Sequence, residues 1–141
     1  MVITCTVADV ARTAPQRDEA YNNIVATGVA PGHALYQLPA DGALVLTSAT
    51  ASGTAGFRGI ALEVAVASGT VSYLRRGRLY GFDLSGMNYD DPIYLSNTAG
   101  MLDTAPGDVS VLVGRVMRLN EPGGVKVAYF DAELASASDL G

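Results

Sequence analysis

The feature that most constrains the fold of this chain is an internal repeat. Ala34-Leu35-Tyr36, followed by Gly42 and Leu44, is matched by Pro92-Ile93-Tyr94, followed by Gly100 and Leu102. Each residue of the second set lies 58 positions after its counterpart. Downstream, Gly59-Ile60-Ala61-Leu62 is matched by Gly114-Arg115-Val116-Met117 at an offset of 55, the intervening loop being three residues shorter. Ser68-Gly69 falls opposite Gly123-Gly124 at that same offset, and a β-rich run follows each. Any antiparallel β protein repeats strand, turn and strand, so the weight rests on the landmarks recurring in one order. They read as a structural duplication of a strand-turn-strand unit.

The second copy is the clearer one. Ile93-Tyr94-Leu95 is a compact strand, Ser96 to Gly100 a turn in which Asn97 and Gly100 suit positive φ, and Met101-Leu102 the return. Val109 to Met117 is rich in β-branched residues, as a buried strand should be. The first copy has His33 to Leu38 as a strand, Pro39-Ala40-Asp41-Gly42 as its turn and Ala43 to Leu46 as its return. Asn120 to Gly124 is a further hairpin turn. About ten short strands at turn spacings predict an all-β fold, a small antiparallel β-barrel or sandwich.

The remaining segments complete the expectation. Val2 to Val7 alternates as a strand, with Ile3, Cys5 and Val7 on one side, and reads as an extended N-terminal arm able to pair with a neighbouring subunit. Ala8 to Asn23, divided by Pro15, is the one region with any helical character, as a short helix or an irregular excursion. Ser48 to Gly56 is a small-residue loop with little of its own to hold it in place. Phe57 to Val66 alternates at period two, placing Ile60, Leu62, Val64 and Val66 on a buried face. Arg75-Arg76-Gly77-Arg78 reads as a basic turn between strands Thr70–Leu74 and Leu79–Phe82. The expected organisation is an N-terminal arm and excursion (1–23), a β-barrel domain (24–131) and a loose tail (132–141).

Composition narrows the function classes. Only 16% of the 141 residues are charged, against roughly 25% in typical chains. Such a surface suits a partner subunit or a large core. The net charge of −5 and the single lysine, Lys126, argue against nucleic acid and against a polybasic membrane segment. No run approaches the roughly 20 apolar residues of a membrane helix. The N-terminus lacks the charged region and long apolar run of a signal peptide, so the chain reads as a soluble protein made in a cytoplasm.

Candidate chemistry is sparse. His33 is the only histidine and Cys5 the only cysteine. A hydrolytic triad would have to be built around His33, and no nucleophile-elbow motif accompanies it. Cys5 shares a strand face with Ile3 and Val7 and reads as a structural thiol. Asp90-Asp91, with Asp83 nearby, matches no calcium-loop spacing, and the glycines match no phosphate loop. The expectation is a non-enzyme with no cofactor and no metal. Arg75, Arg76 and Arg78 form the one charge cluster, and planar guanidinium forks suit interface carboxylates.

One resemblance adds to this reading. The series Gly86, Ile93-Tyr94, Gly100, Leu102 and Val113-Gly114-Arg115-Val116 resembles small capsid decoration proteins of tailed bacteriophages, also called cement or head-stabilising proteins. The earlier copy is Val29 to Leu44, then Arg58-Gly59-Ile60-Ala61-Leu62, and the resemblance spans residues 24 to 130. It implies a structural virion protein on the capsid exterior, a homotrimer that binds the major capsid protein and clamps capsid subunits. It also implies a short extended segment before the barrel, as Met1 to Val7 could supply. On this reading Val2, Ile3, Thr4, Arg75, Arg76 and Arg78 are the candidate protein contacts. The alternative is a tail or head-fibre module binding a host surface glycan, which would present exposed aromatics; the chain has no tryptophan.

Overall fold

The computed structural model describes residues 2–7, 10–12, 19–118 and 125–132. The fold is all-β, as expected. Eleven strands form one curled antiparallel sheet. They are β1 (Val2–Ile3), β2 (Ala11–Arg12), β3 (Glu19–Ile24), β4 (Ala34–Gln37), β5 (Leu44–Leu46), β6 (Phe57–Ala61), β7 (Thr70–Tyr80), β8 (Pro92–Leu95), β9 (Leu102–Asp103), β10 (Leu112–Arg118) and β11 (Lys126–Asp131). A 3-10 turn, Ser52–Thr54, lies between β5 and β6.

The repeat is present in the hydrogen-bonding register itself. In the first unit Tyr36 pairs with Val45 and Gln37 with Leu44; in the second Tyr94 pairs with Asp103 and Leu95 with Leu102. Leu35 opposite Gly59 becomes Ile93 opposite Gly114, and both β4–β6 and β8–β10 carry a bulge at the corresponding place. Ile60 opposite Leu74 becomes Arg115 opposite Tyr129. Gly42 and Gly100 close the two matched turns with the same φ of +76°, a left-handed conformation that favours glycine. Gly59 and Gly114 lie where the neighbouring strand comes closest. A Cβ on Gly59 would stand 2.6 Å from the Leu74 carbonyl oxygen, and one on Gly114 would collide with that of Tyr129.

β7 joins the units. Along one edge it pairs with β3 over residues 70–76 and with β2 over 79–80. Its other edge is divided, with β6 taking Tyr73 and Leu74 and β11 taking Arg76 to Leu79. The two units therefore splay from one strand as two leaves. Between the leaves sits the main core. The first leaf contributes Ala34, Phe57, Ile60 and Leu74; the second contributes Ile93, Leu102, Val116 and Phe130. Each such large side chain, fully buried, is worth about 1.5–3 kcal/mol. Backbone bonds from Ala34 N–H to Gly100 O (2.9 Å) and from Gly100 N–H to Thr47 O (2.7 Å) tie the far end of the first leaf to the second. A smaller core, including Val25, Leu35, Leu44, Ala61 and Val71, lies on the first leaf's outer side. A parallel bridge from Val25 to Leu44 closes it.

Several expectations are corrected. Among the described residues of 8–23 there is no helix, and Ala11–Arg12 and the part of β3 from Glu19 are strand. Glu19–Ile24 finds its hydrogen-bond partners along the open edge of β7, and β3 runs through the boundary expected at residue 24. Arg75-Arg76-Gly77-Arg78 is no turn, because it lies inside the 11-residue β7 and is held by β3 and β11. The N-terminal arm docks on its own chain: Val2 pairs with Asp103 and Ile3 with Leu102, and Ile3 enters the main core. The buried face assigned to Phe57–Val66 holds at Ile60 and Leu62, whose N–H still donates to Ser72 O on β7 (2.9 Å), and fails beyond Leu62. There the chain leaves β7 and bridges Ala65 to Val29, which turns Ala65 inward and leaves Val64 and Val66 69% and 73% exposed. The Ser48–Gly56 loop is pinned internally. Ala49 N–H donates to Ser96 O, Val109 N–H to Ala49 O, and Ser48 N–H and the Thr47 hydroxyl to Thr54 O. The turn expected at Asn120–Gly124 and the tail beyond Ala132 lie outside the described residues.

Candidate protein-contact surface

A bulge against β3 between Leu74 and Arg76 interrupts the alternation of β7 and spreads its arginines along the strand. Arg76 and Arg78 point to the outer side of the second leaf, away from the main core that takes Leu79, and Arg75, the residue after core Leu74, also points away from that core but beside the first leaf. The Arg75 guanidinium sits 5.8 Å from the Tyr21 ring centroid, and Tyr21 packs beside Tyr73 at 6.2 Å. The charge cluster read from the sequence is thus divided along the strand, Arg75 beside Tyr21 of β3 and Arg76 and Arg78 beside β11.

On the outer side, the register brings Arg78, Tyr129, Arg115 and Pro92 into one row across β7, β11, β10 and β8. All four are half-buried. Arg76 and Asp131 form the next row. Arg76 Nε lies 3.4 Å from Asp131 Oδ2, and the Tyr129 hydroxyl donates to that same oxygen, also at 3.4 Å. Burial raises the Tyr129 hydroxyl pKa; the Asp131 carboxylate adds to the shift and Arg76 opposes it, so the phenol remains a hydrogen-bond donor at neutral pH. Arg115 donates one bond to the Asp90 carbonyl (2.9 Å). Arg78 forms no hydrogen bond or ion pair among the described residues.

The duplication explains why this face stands out. The matched positions of the first leaf, Ala34, Phe57, Ile60 and Leu74, are sealed against the second leaf. Their counterparts, Pro92, Leu112, Arg115 and Tyr129, have no third leaf over them and remain half-buried. Tyr129 and Arg115 were missed in the sequence, although the repeat held the signal: at the 55-residue offset, apolar Ile60 and Leu74 become arginine and tyrosine.

The other candidates fall elsewhere. Val2 and Ile3 are engaged with β9, and Thr4, though exposed, accepts a bond from Asp83 N–H through its carbonyl (2.7 Å). Cys5 bridges Phe82, its Sγ lies 4.0 Å from the Pro31 carbonyl, and burial raises its thiol pKa, away from thiolate chemistry. The His33 Nδ1 accepts a bond from Ala30 N–H at 3.0 Å. Fifty-eight residues on, Asp91 Oδ2 accepts one from Asn88 N–H at 2.8 Å. The lone histidine thus closes a turn that the second unit closes with a carboxylate. Asn97 and Asp108 hold two loops together through reciprocal bonds. Among the described residues, no group of three His, Cys, Asp or Glu side chains is placed to hold a metal ion. Tyr21 and Tyr89 are exposed aromatics, and Tyr89 stacks beneath the Lys126 ammonium.

The arrangement offers planar, bidentate donors beside an aromatic ring on a rigid sheet, chemistry suited to protein contact. Comparison with family models, curated proteins and solved structures finds no match to this chain.

Proposed function

We propose that this chain is a structural virion protein that decorates the outer surface of an assembled phage capsid and stabilises it as a homotrimer. The observation that carries the reading is the second leaf's outer face. A module used twice has its outer positions covered in the first copy and left half-buried in the second, where Ile60 and Leu74 give way to Arg115 and Tyr129 beside Pro92 and Leu112. Arg and Tyr are the residues enriched at the energetic centres of protein interfaces. The residues behind the likeness to decoration proteins also occupy matched structural roles: Ile93 and Tyr94 in β8, Gly100 in its turn, Leu102 in β9 and Val113 to Val116 in β10. Clamping would be multivalent, a trimer converting three modest contacts into high avidity.

The test is retention on capsids assembled from the major capsid protein of the same genome, with native mass measured in parallel. Cosedimentation at one trimer per site supports the reading. A monomer that passes through capsids unbound but is captured by a defined glycan on an array would replace it with the fibre-module alternative, for which exposed Tyr21 and Tyr89 would be the contacts.

A further inference from the structure

We propose that the Arg78–Tyr129–Arg115 row is a docking site for an extended, carboxylate-bearing segment of a partner protein. This rests on the protein-contact reading of the second leaf and specifies the partner's chemistry. The chain is acidic overall, with a net charge of −5, yet the rows of β7, β11 and β10 set three arginines, 76, 78 and 115, beside Asp131, the other described carboxylate of the face, Asp103, lying further out on β9 opposite Tyr94. Asp131 is already engaged by Arg76 and Tyr129. Arg78 has no partner among the described residues, and Arg115 uses one bond to a backbone carbonyl. Guanidinium forks left in this state on a fixed sheet are preorganised for carboxylates.

The geometry fits an extended chain. Neighbouring strands lie about 4.8 Å apart, so Arg78 and Arg115 flank Tyr129 about 10 Å from each other. Carboxylates at alternate positions of an extended segment are about 7 Å apart, within reach of both forks, with the tyrosine ring beneath the residue between them. A second copy of this chain in a two-fold contact is disfavoured. An isologous interface sets a patch against itself, and here it would oppose arginine to arginine.

The test titrates two ten-residue peptides, one alternating Glu and Val and the other Lys and Val, into the isotope-labelled full chain. The expected result is amide shifts at residues 76–79, 115 and 129 with the Glu-Val peptide and none with the Lys-Val peptide. Affinity should fall about ten-fold in Arg78→Ala and in Arg115→Ala, and less in the lysine variants. Raising salt from 50 to 500 mM should weaken binding. Arg78→Ala should keep the parent melting temperature, so a loss of binding is not a loss of fold. Equal binding by parent and alanine variants, shifts confined to other strands, or full displacement by equimolar inorganic phosphate would each overturn the proposal. So would self-association that Arg78→Ala abolishes. Capsid retention unaffected by Arg78→Ala, with peptide binding also unaffected, overturns this inference alone. Arg78-dependent peptide binding by a chain that capsids do not retain supports it and removes the decoration reading.

Discussion

Gly114 has no room for a side chain, because a Cβ there would meet the Tyr129 carbonyl and then the Phe130 Cα at 3.2 Å. These are backbone atoms of the central ladder and cannot swing aside. Gly114→Ala should therefore cost about 3 kcal/mol, the upper end of overpacking penalties, read as a fall in the urea midpoint at unchanged slope. Gly53, with nothing within 4 Å of its Cβ position, is the control and should tolerate alanine. A second matched pair concerns protons. Burial holds His33 below its ordinary value of 6.5, and its neutral Nδ1 accepts the Ala30 N–H. As pH falls below 6.5 the unfolded chain takes up the proton first. The His33 contribution is thus complete above that value and is lost as pH falls through the lower folded value. His33 being the only histidine, stability should decline between pH 7.5 and 5.5. His33→Asp, which copies Asp91 of the second unit, should keep the turn closed and flatten that decline. Denaturant titrations at several pH values would show it, and an undiminished slope in the variant would place the effect elsewhere.

At the scale of elements, β1 and β7 carry the consequences. Because Ile3 is buried in the main core and Val2–Ile3 completes the ladder beyond β9, removing residues 1–6 should do more than detach an arm. The loss of the Ile3 side chain alone, tested as Ile3→Ala, should cost about 2–4 kcal/mol in thermal or denaturant unfolding. An arm that served only partners would leave stability unchanged. What was legible in the sequence follows from what is local. The turn glycines and the alternation of Ile93-Tyr94-Leu95 act within a few residues, so the repeat could be read from spacing alone. β7 could not. Arg-Arg-Gly-Arg carries the charge and glycine of a turn, and only pairing with β3 and β11, more than 50 residues distant in each direction, keeps it extended. Val64 and Val66 misled for the same reason: period two persists in the sequence while the pairing partner changes from β7 to the segment at Val29. The arginine face was half-legible. Arg76 and Arg78 were singled out, but Tyr129 and Arg115 join them only through strand register.

At the scale of the molecule, the question is whether a duplicated chain behaves as two modules or one. Repeat arrays can unfold piecewise when each unit carries its own core. Here the first leaf presents Phe57, Ile60 and Leu74 to a core that the second leaf completes with Ile93, Val116 and Phe130, and β7 supplies hydrogen bonds to both leaves. Separating them would expose at least six large apolar side chains, each worth about 1.5–3 kcal/mol, together comparable to the roughly 5–15 kcal/mol by which a domain of this size is stable. The small core around Val25, Leu35 and Val71 is too slight to hold the first leaf alone. Unfolding should therefore be a single transition with calorimetric and van't Hoff enthalpies equal, and fragments 19–80 and 82–132, expressed separately, should not fold. Mixing the fragments should restore little, because β7 must lie between β6 and β11 before either leaf has a partner. Two resolved heat-capacity peaks, or a folded first fragment, would mean that the small core suffices and that the second leaf is an addition to a domain already complete. The outer arginine face would then belong to a separable module. The shared strand argues for the opposite: a docked partner on Arg78 loads β7 directly, and through it both leaves.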